Sequence, residues 1–189
     1  MRALNWKEYV DYMQEIVNGH YTQPPYDKPD YHHYTKMNEA RQRRWLKANP
    51  LTQETVAAIK QINTPQQWVV ITEPWCGDAA HIVPIIYLMS TLNNKITLWF
   101  QLRDSGSEID KYLTNGSRSI PILIVRNAEG DELFYWGPRP KQGQELYLSL
   151  AARKASLDEM IVTLQNYYNA DKSLSIQQEI VSLLSAHLQ

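Results

Sequence analysis

The chain has 189 residues, 43% hydrophobic and 21% charged, with a formal net charge of -1. That balance describes a soluble globular protein of one domain, or of one core with additions. It argues against a general nucleic-acid or membrane binder, and no apolar run approaches the ~20 residues of a membrane span. Cys76 is the only cysteine, and an unpaired thiol fits a reducing compartment. The start, Met1-Arg2-Ala3-Leu4-Asn5-Trp6-Lys7-Glu8, turns charged at once and lacks a signal-peptide core, so the expected location is cytoplasmic. Tyrosine (12) and tryptophan (6) outnumber phenylalanine (2), which favours clefts and surfaces with polar-edged aromatics.

In chain order, the first helix is predicted from about Asn5 to Asn18, capped by Asn5 with Glu8 and ended by Gly19. Trp6, Tyr9, Val10, Met13 and Val17 fall at helical spacing and form its apolar face. His20 to Tyr34 holds three prolines, which exclude regular structure through most of it. Its aromatics predict a loop packed against the body, of a kind that often serves a site. Lys36 to Ala48 reads as a helix stopped by Asn49-Pro50. Its Arg41, Arg43, Arg44 and Lys47 form either a solvated face or a grip for phosphates, glutathione carboxylates or nucleic acid, and the neutral whole-chain charge favours the solvated face. Thr52 caps a further helix with Val56, Ile59 and Ile62 on its inner side.

Trp68 to Thr72 is then a strand and Ala79 to Thr91 a helix. Between them stands Trp75-Cys76-Gly77-Asp78-Ala79. Free N–H groups and the positive end of the dipole at a helix start favour thiolate over thiol. Ile96 to Leu102 is a second strand, and a parallel return implies a right-handed crossover. Both strands are mostly apolar, as expected where helices cover both faces of a sheet. A short helix is expected from Ser105 to Leu113, closed by Asn115-Gly116. Pro121 to Val125 is a third strand, turned by Asn127-Ala128-Glu129-Gly130 into Glu132 to Trp136 as a hairpin. The tail is helical. Ser156 with Glu159 reads as a capping box, and Ile176, Ile180, Leu183, Leu184 and Leu188 draw a last helix.

The Trp75-Cys76-Gly77-Asp78-Ala79 segment resembles that of thioredoxin-like proteins carrying WCGDA or WCGDC in place of WCGPC. Pro84, eight residues past Cys76, and Ile120-Pro121, where the family keeps a cis-proline, fit the same resemblance, which spans roughly Thr52 to Trp136. It implies an α/β, three-layer thioredoxin-like fold: a central mixed sheet flanked by helices, with an N-terminal helical extension and an extra C-terminal helix. The expected division is 1–50 for that extension with its aromatic, proline-rich loop, 51–140 for the core, and 141–189 for helices packing on it. The surplus helices suit pairing with the N-terminal ones or a homodimer.

The departures matter as much. Ala79 stands where a dithiol protein has its second cysteine, and Val70 where the family keeps a buried acid. An intramolecular disulfide is impossible, so any exchange needs an outside thiol: a protein, or a small thiol of the glutathione type. Cys76 is the candidate nucleophile, expected to be partly exposed. Asp78 and Glu73 oppose its ionisation by charge. Asp78 is read as a helix-stabilising acid or a proton relay, with His81 within reach on the same face. By resemblance, Trp75, Gly77, Ile120 and Pro121 shape the substrate groove, Ile120 pairing with a bound chain like an added strand. No cofactor is implied, and His32-His33 has no zinc-type spacing around it. Three functions stay open: monothiol exchange through a mixed disulfide, a binding module in which Cys76 is a remnant, and a thiol sensor.

Overall fold

The computed structural model describes residues 3–187. The strand Gln66–Thr72 (β1) lies inside the sheet because its side chains are buried on both faces, all but Gln67. β1 pairs parallel with Ile96–Leu102 (β2) and antiparallel with Ile122–Arg126 (β3); β3 pairs antiparallel with Glu132–Trp136 (β4). The order is β2-β1-β3-β4, a mixed sheet flanked by helices. The outer edge of β2 is partly covered by Leu4, which exchanges two 2.8 Å backbone hydrogen bonds with Phe100.

Four helices precede the second strand: Trp6–Val17 (α1), Pro29–Ala48 (α2), Gln53–Lys60 (α3) and Gly77–Ser90 (α4). Asn5 and Glu8 complete a reciprocal cap on α1. Its buried face is Tyr9, Met13 and Ile16, whereas Val10, expected inside, is 38% exposed. Ile16, outside the expected stripe, is buried on the Tyr9–Met13 side instead. Thr52 caps α3 by accepting from the Thr55 amide at 3.1 Å.

α4 follows directly from β1 and is covered on every side. Ile82, Val83, Ile85 and Ile86 are wholly buried. Each such side chain contributes about 1.5–3 kcal/mol of transfer free energy. An apolar helix of this kind can only be central, and it packs against α2, α3 and β2.

α2 begins at Pro29, seven residues before the predicted start. Proline is suited to the first helical position, where its missing N–H costs nothing. Only residues up to 28 therefore form the loop. The buried face of α2 is largely polar: Thr35, Asn38, Gln42 and Trp45. Apolar periodicity does not reveal such a face.

The Ser105–Leu113 helix is not formed; a single 3-10 turn, Ile109–Lys111, stands there. Ser107 Oγ bonds the Arg103 carbonyl, while Glu108 is held by Gln101, Lys111 and Arg126. These side-chain bonds satisfy the local polar groups without a helix. Asn115 and Gly116, both at positive φ, close the segment.

Three helices, not two, end the chain: Lys141–Ala152 (α5), Leu157–Asp171 (α6) and Leu174–His187 (α7). α5 escaped prediction because no side chain caps it and Gly143 interrupts its pattern. That glycine allows close packing, since a Cβ there would sit 2.9 Å from the Tyr167 ring. Ser156 accepts from the Glu159 amide at 3.2 Å, but the Glu159 carboxylate turns to Arg153, so the box is half made. α7 packs on α3, α4 and β4. Leu188, read as part of this helix, lies outside the described residues.

Candidate functional site

The end of β1 delivers Glu73-Pro74-Trp75 and then Cys76, the N-cap of α4. The Cys76 amide donates back to the Glu73 carbonyl at 3.1 Å and makes the turn tight. The Cys76 side chain is 7% exposed, and its Sγ–H donates to the Ile120 carbonyl at 3.4 Å. Burial pushes the thiol up to about 12, and the charge of Asp78 adds to this. The Ala79 amide and the Arg139 guanidinium pull the other way and lose. A partly exposed thiolate was expected; the resting group is a buried, protonated thiol. Desolvation outweighs the helix terminus here.

Asp78 does not reach His81. Its carboxylate pairs with Arg139 at 2.7 Å, both side chains 10% exposed, and accepts from the Tyr168 hydroxyl at 2.8 Å. Arg139 arrives on the Gly137-Pro138 turn behind β4. Gly137 is required there: at φ +128 its absent Cβ would lie 2.3 Å from the Pro121 carbonyl. His81 Nδ1 instead accepts from the Trp45 indole at 3.0 Å, and its ring stacks on Tyr168. Burial holds His81 neutral, far below its usual range, at about 3.

A second carboxylate, Glu73, is 4% exposed. It accepts from the Asp104 amide at 3.0 Å and from the Tyr26 hydroxyl at 3.4 Å. Burial raises it to about 7. Tyr26 belongs to the aromatic loop, which thus packs down on the turn before Cys76. Asn38 of α2 holds the same turn by donating to the Pro74 carbonyl at 3.0 Å.

These elements enclose a cleft of about 500 Å³ with Trp75, Cys76, Gly77, Asp78 and Ile120 among its lining residues. Five of the six expected site residues are brought together there. Pro121 is buried and does not line it, although the Ile120–Pro121 bond is cis. Tyr31 meets Trp75 edge-on at 5.4 Å, and Arg103 lies 4.7 Å over the Trp75 ring. The Trp75 indole N–H is buried with no acceptor among the described residues. A Cβ on Gly77 would meet no atom within 4 Å, so the backbone faces open space.

Sequence reasoning missed Arg139, Tyr168 and Arg103. The prolines around Arg139 mark a fixed turn, but nothing local links Tyr168 to Asp78, ninety positions away. Among the described residues no group of three or more metal-ligating side chains clusters, and no helix is long and apolar enough to cross a membrane.

A mixed sheet with a cysteine at the head of its central helix, facing an X-Pro bond, defines a thioredoxin-like protein. A family model described as thioredoxin matches residues 25–178, and the chain belongs to that family. The match reaches well beyond the span that the motifs alone suggested. No curated protein matches. A solved protein of unknown function from Pseudomonas aeruginosa is 17% identical at a TM-score of 0.60, covering 97% of this chain and 99% of that one. A solved HIV epitope scaffold is 16% identical at a TM-score of 0.57, with the same coverage. Both are likenesses of fold.

Proposed function

We propose that the Cys76 cleft is a monothiol exchange site. The observation that carries this is Cys76, at the head of α4, among the residues that line the cleft. In the first step Cys76 gives its proton to water and the thiolate attacks one sulfur of a disulfide R–S–S–R. That bond breaks, Cys76–S–S–R forms, and R–S⁻ leaves and takes a proton from water. A second thiol then gives up its proton and attacks the R sulfur, which frees Cys76 and forms a new disulfide. Disulfides are conserved, so no oxidant is consumed. Ala79 makes the outside thiol obligatory.

The resting thiol is too weak an acid to react with any disulfide it meets, because the thiolate is the nucleophile. Selectivity comes from residence: a ligand held in the cleft raises the local concentration of its sulfur. Trp75, Gly77 and Ile120 hold that ligand, Pro121 backs Ile120, and Asp78 tunes the thiol. Such exchange suits a reducing compartment such as the cytoplasm. The test is mass spectrometry after prolonged incubation at pH 9 with small disulfides that are acidic, neutral and basic. A reducible adduct on Cys76 with at least one of them is expected; no adduct with any overturns the proposal.

The second reading is a binding cleft without chemistry. The burial of Cys76 and its bond to Ile120 favour it, since both hold the thiol unreactive. Partners retained by Cys76→Ser support this reading; partners held only through a reducible bond support exchange.

A further inference from the structure

Beside the cleft, α2, α4 and α6 leave a cavity of about 250 Å³. It shares Arg41, Gly77, Asp78, Arg139, Leu157 and Ile161 with the Cys76 cleft, so a ligand in one borders the other. The volume suits a group of several heavy atoms and not a polypeptide segment.

The chemistry of its wall is unbalanced. Arg41 and Arg139 face a single carboxylate, Asp78, and Arg139 already pairs with it at 2.7 Å. Among the described residues Arg41 bonds only neutral amides, Asn38 and Gln165. Arg44 beside it likewise bonds an amide, Asn169, at 2.7 Å and stacks over Trp45. His81, which also lines it, is held neutral and so adds no charge of either sign. The Arg139 side chain is nine-tenths buried; besides pairing with Asp78 it donates to Gln144 at 3.0 Å and lies 4.0 Å over the Tyr147 ring. The cavity wall therefore carries one guanidinium more than its carboxylate neutralises, which suits an anionic group. The opposite wall is apolar, with Met160, Ile161 and Leu164 of α6, so the anion is the end of an organic molecule.

We infer that this cavity is a carboxylate-binding lobe, and that the disulfide exchanged at Cys76 is a small organic one bearing a carboxylate. The inference rests on the exchange reading above. The carboxylate takes the Arg41 and Arg139 N–H groups, the carbon chain lies on α6, and the disulfide sulfur reaches Cys76. The exchange itself is the balanced two-step reaction already given.

Three disulfides of similar length test it: dithiodipropionate with two carboxylates, cystamine with two ammonium groups, and neutral hydroxyethyl disulfide. Adduct formation on Cys76 is followed by mass. A charge-assisted bond to a partly buried arginine makes dithiodipropionate faster than cystamine by about tenfold or more. Arg41→Gln brings that ratio close to one and Arg41→Lys restores part of it. Arg43→Gln, on the exposed side of α2 with Arg43 paired to Glu39, leaves it unchanged. Equal rates in the unaltered protein, or a ratio that survives Arg41→Gln, overturn the inference. Equilibrium binding of dithiodipropionate to Cys76→Ser separates the two claims. Saturable binding that Arg41→Gln abolishes, without adducts in the unaltered protein, keeps the lobe and sinks the exchange; no saturable binding sinks the lobe.

Discussion

Two buried carboxylates flank Cys76 in the chain, Glu73 three residues before it and Asp78 two after, and they live in opposite surroundings. Asp78 has a guanidinium at 2.7 Å and a phenol donor. Glu73 has a backbone N–H, a long bond to Tyr26 and, among the described residues, no cation in bonding contact, and burial lifts it to about 7. The partners set them apart. Asp78, held by Arg139, opposes ionisation of the thiol by its charge, while burial lifts Glu73 toward neutrality.

The largest expected effect comes from removing the partner of Asp78. Arg139→Met leaves a buried carboxylate unpaired and is expected to cost about 3–5 kcal/mol in urea unfolding. Adding Asp78→Asn should recover much of that loss; purely additive losses would break the comparison.

Glu73 comes next, through pH. Its folded pKa, about 7, lies above the ordinary carboxylate value, so its contribution is full below the free value and is lost as pH rises through 7. A tenfold change in proton affinity is worth roughly 1.4 kcal/mol, which bounds the loss at about 3 kcal/mol. His81 works in reverse: held neutral to about 3, it favours the fold above its free value and loses that contribution as pH falls. The two windows overlap, so the difference between Glu73→Gln and the unaltered protein is the quantity to measure. The variant should gain relative stability between pH 4.5 and 7.5. A flat difference would place Glu73 in a solvated setting.

The smallest effects are the phenol deletions. Tyr168→Phe removes a 2.8 Å donor to a charged group and should cost about 1.5–3 kcal/mol. Tyr26→Phe removes a 3.4 Å contact to Glu73 and should cost about 1 kcal/mol or less. Equal costs from denaturant unfolding would erase the distinction between the two acids.

Much of the fold was legible because β1 and β3 hold continuous apolar runs, Trp68 to Ile71 and Ile122 to Val125, and because α4 is mostly apolar. The first two turns of α2 were not: Pro29 reads as a breaker, whereas it stands at the first helical position, and the buried Thr35 adds no apolar period. The same cause hid the cleft wall: Tyr31 and Tyr34 read as loop aromatics but stand on that helix. At the site, the strand-to-helix position of Cys76 was plain from the residues. Its acidity was not, because burial is set by chain segments far from it. Arg139 and Tyr168 were invisible as partners of Asp78 for the same reason.

The central claim is that Cys76 rests as a protonated thiol on the wall of a cleft and yields only to a ligand that stays. Its alkylation by iodoacetamide across pH 6–11 tests this most directly. The account predicts a rate at pH 7 well below that of free cysteine, still climbing at pH 10. A plateau below about pH 8, with a rate equal to or above that of free cysteine, would contradict it.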